Sequence, residues 1–378
     1  MAREYKYPFL RLADVNAPFR DALAQAALRV IDSGYYIGGP ELANFESMLS
    51  AMHDGAEAVG VTNGLDALRL IFRAYKELGA LSAGDEVIVP ANTYVASVLA
   101  VTDNALTPVF VEPDAQTLNL DTSLVEAAIT PRTRAILPVH LYGRVCWDST
   151  LAAVVRRHNL IVVEDNAQAI GAQATEPGLF GSRHSGALGH AGAFSFYPTK
   201  NIGALGDGGA VVTNDPKLAA AIRAIRNYGS DRQYHNIYKG LNCRLDSMKA
   251  AMLAAKLPFT DAENQYRREL AQIYNTNINN ALVRKPLWTD GSDCVWHQYA
   301  VLTEHRDRFR QYLADNGVET AVHYSTPPHR QPCYAEYSSL HLPITESIAA
   351  SIVSLPITRT TSPQDAAEIS AIINDYRG

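Results

Sequence analysis

The sequence has little of what marks several large protein classes. Only four of its 378 residues are cysteines, the widely separated Cys146, Cys243, Cys294 and Cys333. No CxxC pair or Cys/His cluster occurs, which argues against a metal site and against a disulfide framework. No apolar run approaches the length of a membrane helix, and Met1–Leu12 lacks the apolar core of a signal peptide. These absences predict a cytoplasmic protein without a membrane segment.

An excess of basic residues is also missing. The formal net charge is −6, and no stripe of Lys and Arg offers a surface to a phosphate backbone, so nucleic acid is excluded as a partner. Apolar residues make up 47% of the chain and charged residues 19%, a composition typical of a soluble globular enzyme. The length exceeds that of one ordinary compact domain, which predicts a large and a smaller domain.

Seven short apolar segments punctuate the first two-thirds of the chain. Most are rich in Val, Ile or Phe and nearly continuous in apolarity, as is typical of strands buried on both faces. The segments are Glu57–Val61, Glu86–Pro90, Pro108–Glu112, Ala135–Val139, Leu160–Glu164, Gly192–Phe196 and Gly209–Thr213. Helix-compatible stretches such as Gly64–Leu78 lie between the first several, and this alternation predicts a largely parallel sheet.

The sixth and seventh segments and the C-terminal third differ from this pattern. The link Tyr197–Gly208 is too short for a helical crossover, which predicts an antiparallel pair. After Asn242 the chain turns to helices, beginning with Asp246–Leu257. We therefore expect an α/β large domain, residues 1–257, with a seven-stranded mostly parallel mixed sheet flanked by helices. A smaller C-terminal α+β domain, residues 258–378, follows it.

Polar residues gather just beyond the carboxyl ends of these segments, where open α/β sheets bind their ligands. They are Asn63, Gly64 and Asp66 after the first segment, Asn92 and Tyr94 after the second, His140 after the fourth, Asp165 and Gln168 after the fifth, and Tyr197 and Lys200 after the sixth, with Ser195 just inside it. A phosphate cradle, an aromatic ring, a carboxylate and a lysine are thus expected at one edge of the sheet.

Each of these residues also fits a purely structural role. Asn63-Gly64 stands where a helix begins, so its free N–H groups suit a phosphate, but Asn63 also suits a helix cap. Asp165 suits the partner of a protonated pyridine nitrogen or a buried structural carboxylate, and Tyr94 suits a core aromatic. Lys200 lies in a Gly/Pro-rich turn where most lysines are solvated. Desolvation there would lower its pKa and make its amine a Schiff-base former.

Taken together, the motifs resemble those of the sugar-nucleotide aminotransferases, pyridoxal-phosphate (PLP) enzymes with the aspartate-aminotransferase type I fold. The resemblance runs from about Ser33 to about Pro356 and rests on Asn63-Gly64-Leu65-Asp66-Ala67-Leu68, Pro90-Ala91-Asn92-Thr93-Tyr94, Pro138-Val139-His140-Leu141-Tyr142-Gly143, Glu164-Asp165-Asn166-Ala167-Gln168 and Ser195-Phe196-Tyr197-Pro198-Thr199-Lys200-Asn201. The first motif is closer to members that aminate C3 of 3-keto-6-deoxy sugars than to the C4 enzymes. Thr199 and Asn166 depart from the small residues of that subgroup.

The resemblance implies a role for each matching residue. It gives Lys200 as the lysine that binds PLP and later moves the proton, Asp165 as the partner of the pyridine nitrogen, Gln168 near the ring hydroxyl, Tyr94 stacked on the ring, and Asn63, Gly64 and Ser195 around the phosphate. The sugar pocket is expected to include Tyr197, His323, Tyr324 and His329. The two histidines also fit polar residues beside a proline turn.

Asn242 resembles the asparagine that reaches the phosphate of the neighbouring subunit. The resemblance therefore implies a homodimer with shared active sites. The alternative is that Asn242 caps the helix of its own subunit.

The implied reaction has two stages. L-glutamate gives its amino group to the cofactor and leaves as 2-oxoglutarate, and a keto sugar carried on a nucleotide then receives that group. We expect C3 of a dTDP-3-keto-6-deoxyhexose as the acceptor, for a surface polysaccharide such as a lipopolysaccharide O-antigen or for a glycosylated metabolite. Two alternatives are a PLP-dependent sugar dehydratase, in which histidine replaces the lysine, and a non-catalytic PLP-binding regulatory protein.

Overall fold

The seven predicted strands form one sheet in the structure, a computed structural model that describes residues 4–378. The prediction that Met1–Leu12 is not a signal peptide includes residues 1–3, which lie outside this range. The strands are β1 (Glu57–Val61), β2 (Glu86–Pro90), β3 (Thr107–Val111), β4 (Thr133–Ile136), β5 (Ile161–Asp165), β6 (Ala191–Ser195) and β7 (Gly209–Thr213), in the order β1-β7-β6-β5-β4-β2-β3. Only β7 runs antiparallel, to both β1 and β6, which confirms the predicted mixed sheet.

Helices flank the sheet and recur through the C-terminal third. They are α1 (Leu12–Asn16), α2 (Arg20–Ser33), α3 (Pro40–Ala51), α4 (Gly64–Glu77), α5 (Val95–Thr102), α6 (Ser149–His158), α7 (Pro216–Ile225), α8 (Ser247–Lys256), α9 (Thr260–Asn277), α10 (Arg306–Asp315), α11 (Pro343–Ser351) and α12 (Pro363–Asp375). Two short antiparallel pairs are β8 (Ser230–Arg232) with β9 (His235–Asn236) and β10 (Tyr299–Leu302) with β11 (Ile352–Leu355). Across residues 4–378 no helix combines the length and apolarity that crossing a membrane requires.

Helix α4 shows how the sequence places the site. Asn63 is its N-cap, and the Asn63 side chain accepts a hydrogen bond from the Asp66 N–H at 2.8 Å. The stripe of Leu68, Ile71 and Phe72 is fully or almost fully buried in the main core. The cap fixes where the helix begins and the stripe fixes which face meets the sheet, so the helix N-terminus is held at the sheet edge.

Strand β4 ends earlier than predicted, at Ile136 instead of Val139. Pro138 has no N–H to donate to a ladder. The chain nevertheless stays paired, because the Leu137 N–H donates to the Ile88 carbonyl at 2.8 Å and the Pro138 carbonyl accepts from the Asp165 N–H at 2.9 Å. The residues that follow β4 are therefore delivered beside the end of β5.

The C-terminal region has an apolar core of its own, which includes Tyr274, Tyr299, Phe309 and Ile369. Tyr7 packs in the same cluster, and its N–H donates to the Gly317 carbonyl at 2.9 Å. The segment around Tyr7 therefore packs with the C-terminal region, and the predicted division into residues 1–257 and 258–378 stays a prediction. The segment pairs there because Tyr7 is apolar enough to join this core, a contact between chain ends that local sequence does not reveal.

Candidate active site

A cavity of about 590 Å³ lies at the carboxyl ends of β1, β2, β5 and β6. Its lining includes Asn63, Gly64, Tyr94, Asp165, Gln168, Ser195, Tyr197, Lys200, His323 and Tyr324. The structure thus brings together all the predicted site residues except Asn242 and His329. Thr93, Thr199 and Asp207 line the same cavity and were not among the predicted site residues.

The carboxylate of Asp165, the last residue of β5, is held by two donors. Its Oδ2 accepts a hydrogen bond from the Ser97 hydroxyl at 2.8 Å, and its Oδ1 accepts from the Ala167 N–H at 3.1 Å. Ser97 in turn lies 2.9 Å from the Thr93 hydroxyl. Because Asp165 and Ser97 are both buried, these bonds hold the carboxylate in one orientation at the cavity wall.

Lys200 lies in a tight turn that follows β6. The Lys200 N–H donates to the Tyr197 carbonyl at 2.8 Å, and the Ala204 N–H donates back to the Phe196 carbonyl at 2.8 Å. Gly203 is required in this turn, since a Cβ there would clash with the carbonyl of Pro198. The short link leaves no room for a helix, as predicted, and it places the lysine beside the end of β5.

The surroundings of Lys200 change the chemistry of its amine. Burial lowers the pKa of Lys200 from 10.5 to about 8, and the negative charge of Asp165 opposes part of that change. A sizeable fraction of the side chain is therefore neutral near physiological pH. A neutral amine is both a nucleophile and a proton acceptor, the two properties that a Schiff-base lysine needs.

The N-terminus of α4 forms the opposite end of the cavity. The first-turn N–H groups of Gly64 and Leu65 have no acceptor within the helix, and the helix dipole is positive there. A Cβ on Gly64 would lie 2.7 Å from the Cβ of Ser195, so only glycine allows this close approach. Asn63 is a helix cap, as the structural alternative held, and the first-turn N–H groups beside it still suit an anion such as a phosphate.

Aromatic and amide groups form the side wall. Gln168 accepts a hydrogen bond from the Tyr142 N–H and donates to the Tyr324 hydroxyl at 3.2 Å. The ring of Tyr324 lies 5.1 Å from that of Tyr94. Tyr94 is 53% exposed, so it is not a core aromatic and its ring is available to a ligand.

His323 is a neutral imidazole at the cavity wall. Its Nδ1 lies 2.8 Å from the Ser354 hydroxyl, and its carbonyl accepts a hydrogen bond from the Tyr142 hydroxyl at 2.7 Å. Burial, together with the positive charge of Lys200, lowers the pKa of His323 to about 4. The ring therefore stays uncharged at neutral pH and is suited to hydrogen bonds with hydroxyl groups.

His329, which was predicted to line the sugar pocket, is not among the residues that line this cavity. Its ring is completely buried, with Nε2 3.1 Å from Glu346 Oε1 and its centroid 6.4 Å from that of Phe110. His329 lies in the one-turn helix Pro328–Arg330, where it is buried inside the protein. The structural alternative, a paired polar residue beside a proline turn, holds for this histidine.

Asn242 lies outside the cavity, and its predicted place at the start of a helix is wrong. Helix α8 begins at Ser247, and its N-cap is Asp246, which accepts from the Lys249 N–H at 2.8 Å. Asn242 is exposed, and its backbone pairs with Asn227. The alternative that Asn242 caps its own helix therefore fails as well.

Sequence reasoning missed Ser97 and the pairing of His140 with Glu164. Ser97 is the one polar side chain in the middle of the apolar helix α5, which was the only available signal. His140 Nε2 lies 2.8 Å from Glu164 Oε2, and the Cys146 N–H donates to His140 Nδ1 at 3.0 Å, so Nε2 carries the proton that Glu164 accepts. This pair supports the strand end that carries Asp165.

The profile of the DegT/DnrJ/EryC1/StrS aminotransferase family matches residues 19–374. The chain belongs to this family. One relative is the dTDP-3-amino-3,6-dideoxy-alpha-D-galactopyranose transaminase of Aneurinibacillus thermoaerophilus, 44% identical over 369 residues that cover 98% of this chain and 99% of the relative. Another is the erythromycin biosynthesis sensory transduction protein EryC1 of Saccharopolyspora erythraea, 44% identical over 369 residues that cover 97% and 98%.

Solved structures agree with the family. DesV of S. venezuelae, crystallised in complex with a ketimine intermediate, has a TM-score of 0.92 and 43% identity over 99% of this chain and 98% of its own. The chain therefore has the aminotransferase fold, and as a DegT/DnrJ/EryC1/StrS aminotransferase it depends on PLP. The cavity fits this cofactor, since it offers a lysine amine, a fixed carboxylate, an available aromatic ring and an anion-binding helix end.

Proposed function

We propose that this aminotransferase transfers the amino group of L-glutamate to the C3 keto group of a dTDP-linked 6-deoxyhexose. The observation that carries the proposal is one cavity that joins the Lys200 amine, whose pKa is about 8, to the fixed carboxylate of Asp165 and the anion-binding end of α4. The sugar class is supported by the Aneurinibacillus thermoaerophilus relative, whose name specifies a dTDP-3-amino-3,6-dideoxy sugar.

In this proposal each group of cavity residues binds a different part of the cofactor. Lys200 would bind PLP covalently, Asp165 would pair with the ring nitrogen, Gln168 would face the ring hydroxyl, Tyr94 would cover the ring, and Asn63, Gly64 and Ser195 would hold the phosphate. When bound, PLP supplies an electron sink for the carbon that carries the amino group. Ser97 and the Ala167 N–H keep the Asp165 carboxylate in place for its part of this task.

Lys200 would also move the proton that each stage of the reaction requires. In its neutral form, Nζ accepts a proton from the carbon that carries the amino group and later returns it. The lowered pKa of Lys200, about 8, suits both directions near physiological pH, because neither protonation state dominates strongly. The carboxylate of Asp165 opposes a further fall of that pKa, so the lysine keeps enough basicity to accept the proton.

The sugar would lie against Tyr197, His323 and Tyr324. These side chains bring two hydroxyls and one imidazole to the cavity. Tyr197 is 52% exposed and therefore accessible to a ligand. Since burial raises the pKa of Tyr324 and lowers that of His323, both stay uncharged at neutral pH and suit neutral sugar hydroxyls.

The proposal includes a cytoplasmic homodimer in which Asn242 of each chain serves the site of the other. Asn242 is exposed, and the same chain exposes a run of large apolar side chains, Tyr35, Tyr36 and Ile37. Exposed apolar surface of this kind marks protein–protein contacts. The product would supply an amino sugar for a surface polysaccharide, such as an O-antigen, or for a glycosylated metabolite.

Two other functions on this scaffold are separated by simple observations. A sugar dehydratase of this type has histidine at the position of Lys200, which argues against that reading. A regulatory role is favoured by the name of EryC1, which describes sensory transduction. A PLP-binding regulator that does not catalyse would bind the cofactor but would not exchange amino groups.

The test is a two-stage assay of the purified enzyme. L-glutamate alone should convert the cofactor absorbance to that of the aminated form and release 2-oxoglutarate. A dTDP-3-keto-6-deoxyhexose should then restore the original absorbance and yield the 3-amino sugar, whereas a 4-keto isomer should react at least about a hundred times more slowly. No response to glutamate would favour the regulator, and a faster reaction with the 4-keto isomer would overturn the C3 assignment.

A further inference from the structure

The turn that carries Lys200 is fixed at two points, both just after the lysine in the chain. At the first, Asn201 donates through Nδ2 to Asn264 Oδ1 at 2.8 Å, and its Oδ1 lies 3.0 Å from His297 Nδ1. At the second, the carbonyl of Gly203 accepts a hydrogen bond from Lys256 Nζ at 2.6 Å. The second contact comes from a lysine that no step of the proposed reaction uses.

Lys256 is an unusual residue for this place. It is the last residue of α8 and is only 4% exposed. Its second hydrogen bond goes to Asn16 Oδ1 at 3.0 Å, and Nζ lies 5.5 Å from the ring centroid of Phe19. Both acceptors are neutral oxygens, so the ammonium is buried without the direct carboxylate partner that such a charge usually has.

Burying the Lys256 ammonium costs free energy, which indicates that its hydrogen bond to the Gly203 carbonyl has a structural role. Desolvation lowers the pKa of Lys256 to about 8, and the charge of Glu263 opposes only part of this change. A neutral apolar side chain at this position would avoid the cost but would leave the Gly203 carbonyl without its partner. The turn cannot easily relax to find another one, since Gly203 is packed against the carbonyl of Pro198.

We propose that Lys256 is a positioning residue, which clamps the Gly203 carbonyl and thereby fixes the turn that presents Lys200 to the cofactor. Through Asn16 the same ammonium ties this turn to the segment before α2. The inference rests on the proposed role of Lys200 as the cofactor lysine. It predicts that losing the clamp loosens the turn locally while the sheet and α8 stay intact.

Hydrogen exchange of the apoprotein tests the local effect. In Lys256→Met the stem is kept and the donor is lost, so the amides of Lys200 and Ala204 should exchange about ten-fold faster while α8 is unchanged. Lys217→Met, at an exposed lysine on α7, is the matched control and should leave both regions as in the wild type. Unchanged exchange in the turn, or an equal increase throughout α8 and the sheet, would overturn the proposal.

A spectroscopic readout tests the effect on Lys200 itself. In cofactor-loaded Lys256→Met, the pH midpoint of the cofactor absorbance should move by at least about half a pH unit, because the lysine is no longer held in one place, whereas Lys217→Met should not move it. An unmoved midpoint would contradict a positioning role. If Lys256→Met does not fold, Lys256→Leu replaces it. That side chain also has no donor for the Gly203 carbonyl, so unchanged exchange in the turn would equally overturn the proposal.

The exchange result does not depend on where the cofactor binds. If PLP were attached to another lysine, the proposed function would fail while the local loosening in Lys256→Met would persist. If PLP is attached to Lys200 and the turn does not loosen, only the role of Lys256 fails.

Discussion

The Ser97 hydroxyl donates to Oδ2 of Asp165 at 2.8 Å, joining the helix after β2 to the end of β5. Ser97 is completely buried, and its hydroxyl lies 2.9 Å from that of Thr93, so the chain Thr93–Ser97–Asp165 is shielded from water. A carboxylate held in this way needs little reorganisation when a positive charge is placed before it. In the proposed mechanism that charge is the protonated ring nitrogen of PLP.

Substitutions of Asp165 and of Ser97 should both lower kcat, the first far more than the second. Asp165→Asn removes the charge and should lower kcat by two decades or more, on the order of the loss of an electrostatic stabiliser. Ser97→Ala keeps the charge but frees one oxygen, and should lower kcat by about three- to ten-fold, the scale of one hydrogen bond. The measurement is kcat at saturating PLP, with Ser123→Ala at an exposed serine as the control. Near-normal turnover of Asp165→Asn would show that the carboxylate is structural.

The stability of the apoprotein should reveal the lowered pKa of Lys200. Because the pKa falls from 10.5 in the unfolded chain to about 8 in the folded one, the unfolded state binds more protons between these values. Burying the charged amine lowers the free energy of unfolding. This loss of stability is fully present below pH 8 and disappears as the pH rises to 10.5. Lys200→Met should therefore raise the free energy of unfolding at pH 7 by on the order of 2 kcal/mol.

Denaturant unfolding at several pH values provides the measurement. The advantage of Lys200→Met over the wild type should shrink steadily from pH 8 to 10.5, the two pKa limits. Lys217→Met should show no such trend, because that lysine is exposed. An advantage that stays constant across this window would mean that the Lys200 amine is not desolvated.

His323 and His329 form a matched pair for the sugar stage. His323→Ala should slow the reaction with the keto sugar by at least about ten-fold and leave the glutamate stage near normal, because its ring lines the cavity. His329→Ala should lower Tm, since it leaves a cavity and removes one partner of Glu346, without changing the KM for the sugar. The two stages are measured separately by stopped-flow absorbance. A raised KM for the sugar in His329→Ala, with an unchanged Tm, would show that His329 contributes to sugar binding.

Mixed dimers test the shared site. In a two-fold dimer, a Lys200→Ala chain paired with an Asn242→Ala chain has one doubly damaged site and one intact site. Random pairing at equal expression should therefore restore about a quarter of wild-type activity. Lys200→Ala with Asp165→Asn is the control, because both changes would act within their own chain and leave no intact site. Activity no higher than the average of the two parents would rule out the exchange of Asn242.

The parts of the site that follow from local pattern were predictable. Continuous apolarity located all seven strands, and the residues just after them, such as Asp165 and Lys200, met in one cavity because parallel strands end at the same edge. The hydrogen bonds that support them were not predictable. Ser97 meets Asp165, and Lys256 meets Gly203, only through the packing of elements far apart in sequence.

The same reason explains why His329 lies outside the cavity. Its motif resembles a sugar-contacting one, but the direction of a side chain in a proline turn depends on what packs beneath it. Here Glu346 and Phe110 draw the ring inward. Asn242 likewise does not cap the following helix, because that helix begins at Ser247 and Asp246 is its N-cap.

The central claim is that Lys200 holds the cofactor, and borohydride reduction of the PLP-loaded enzyme tests it most directly. Reduction fixes PLP to the amine that carries it, and digestion with mass spectrometry then identifies the labelled peptide. We expect a single label on Lys200, and no label at all in Lys200→Ala that has kept its fold. A label on any other lysine, Lys256 and Lys249 included, or undiminished labelling of the Lys200→Ala protein, would contradict it.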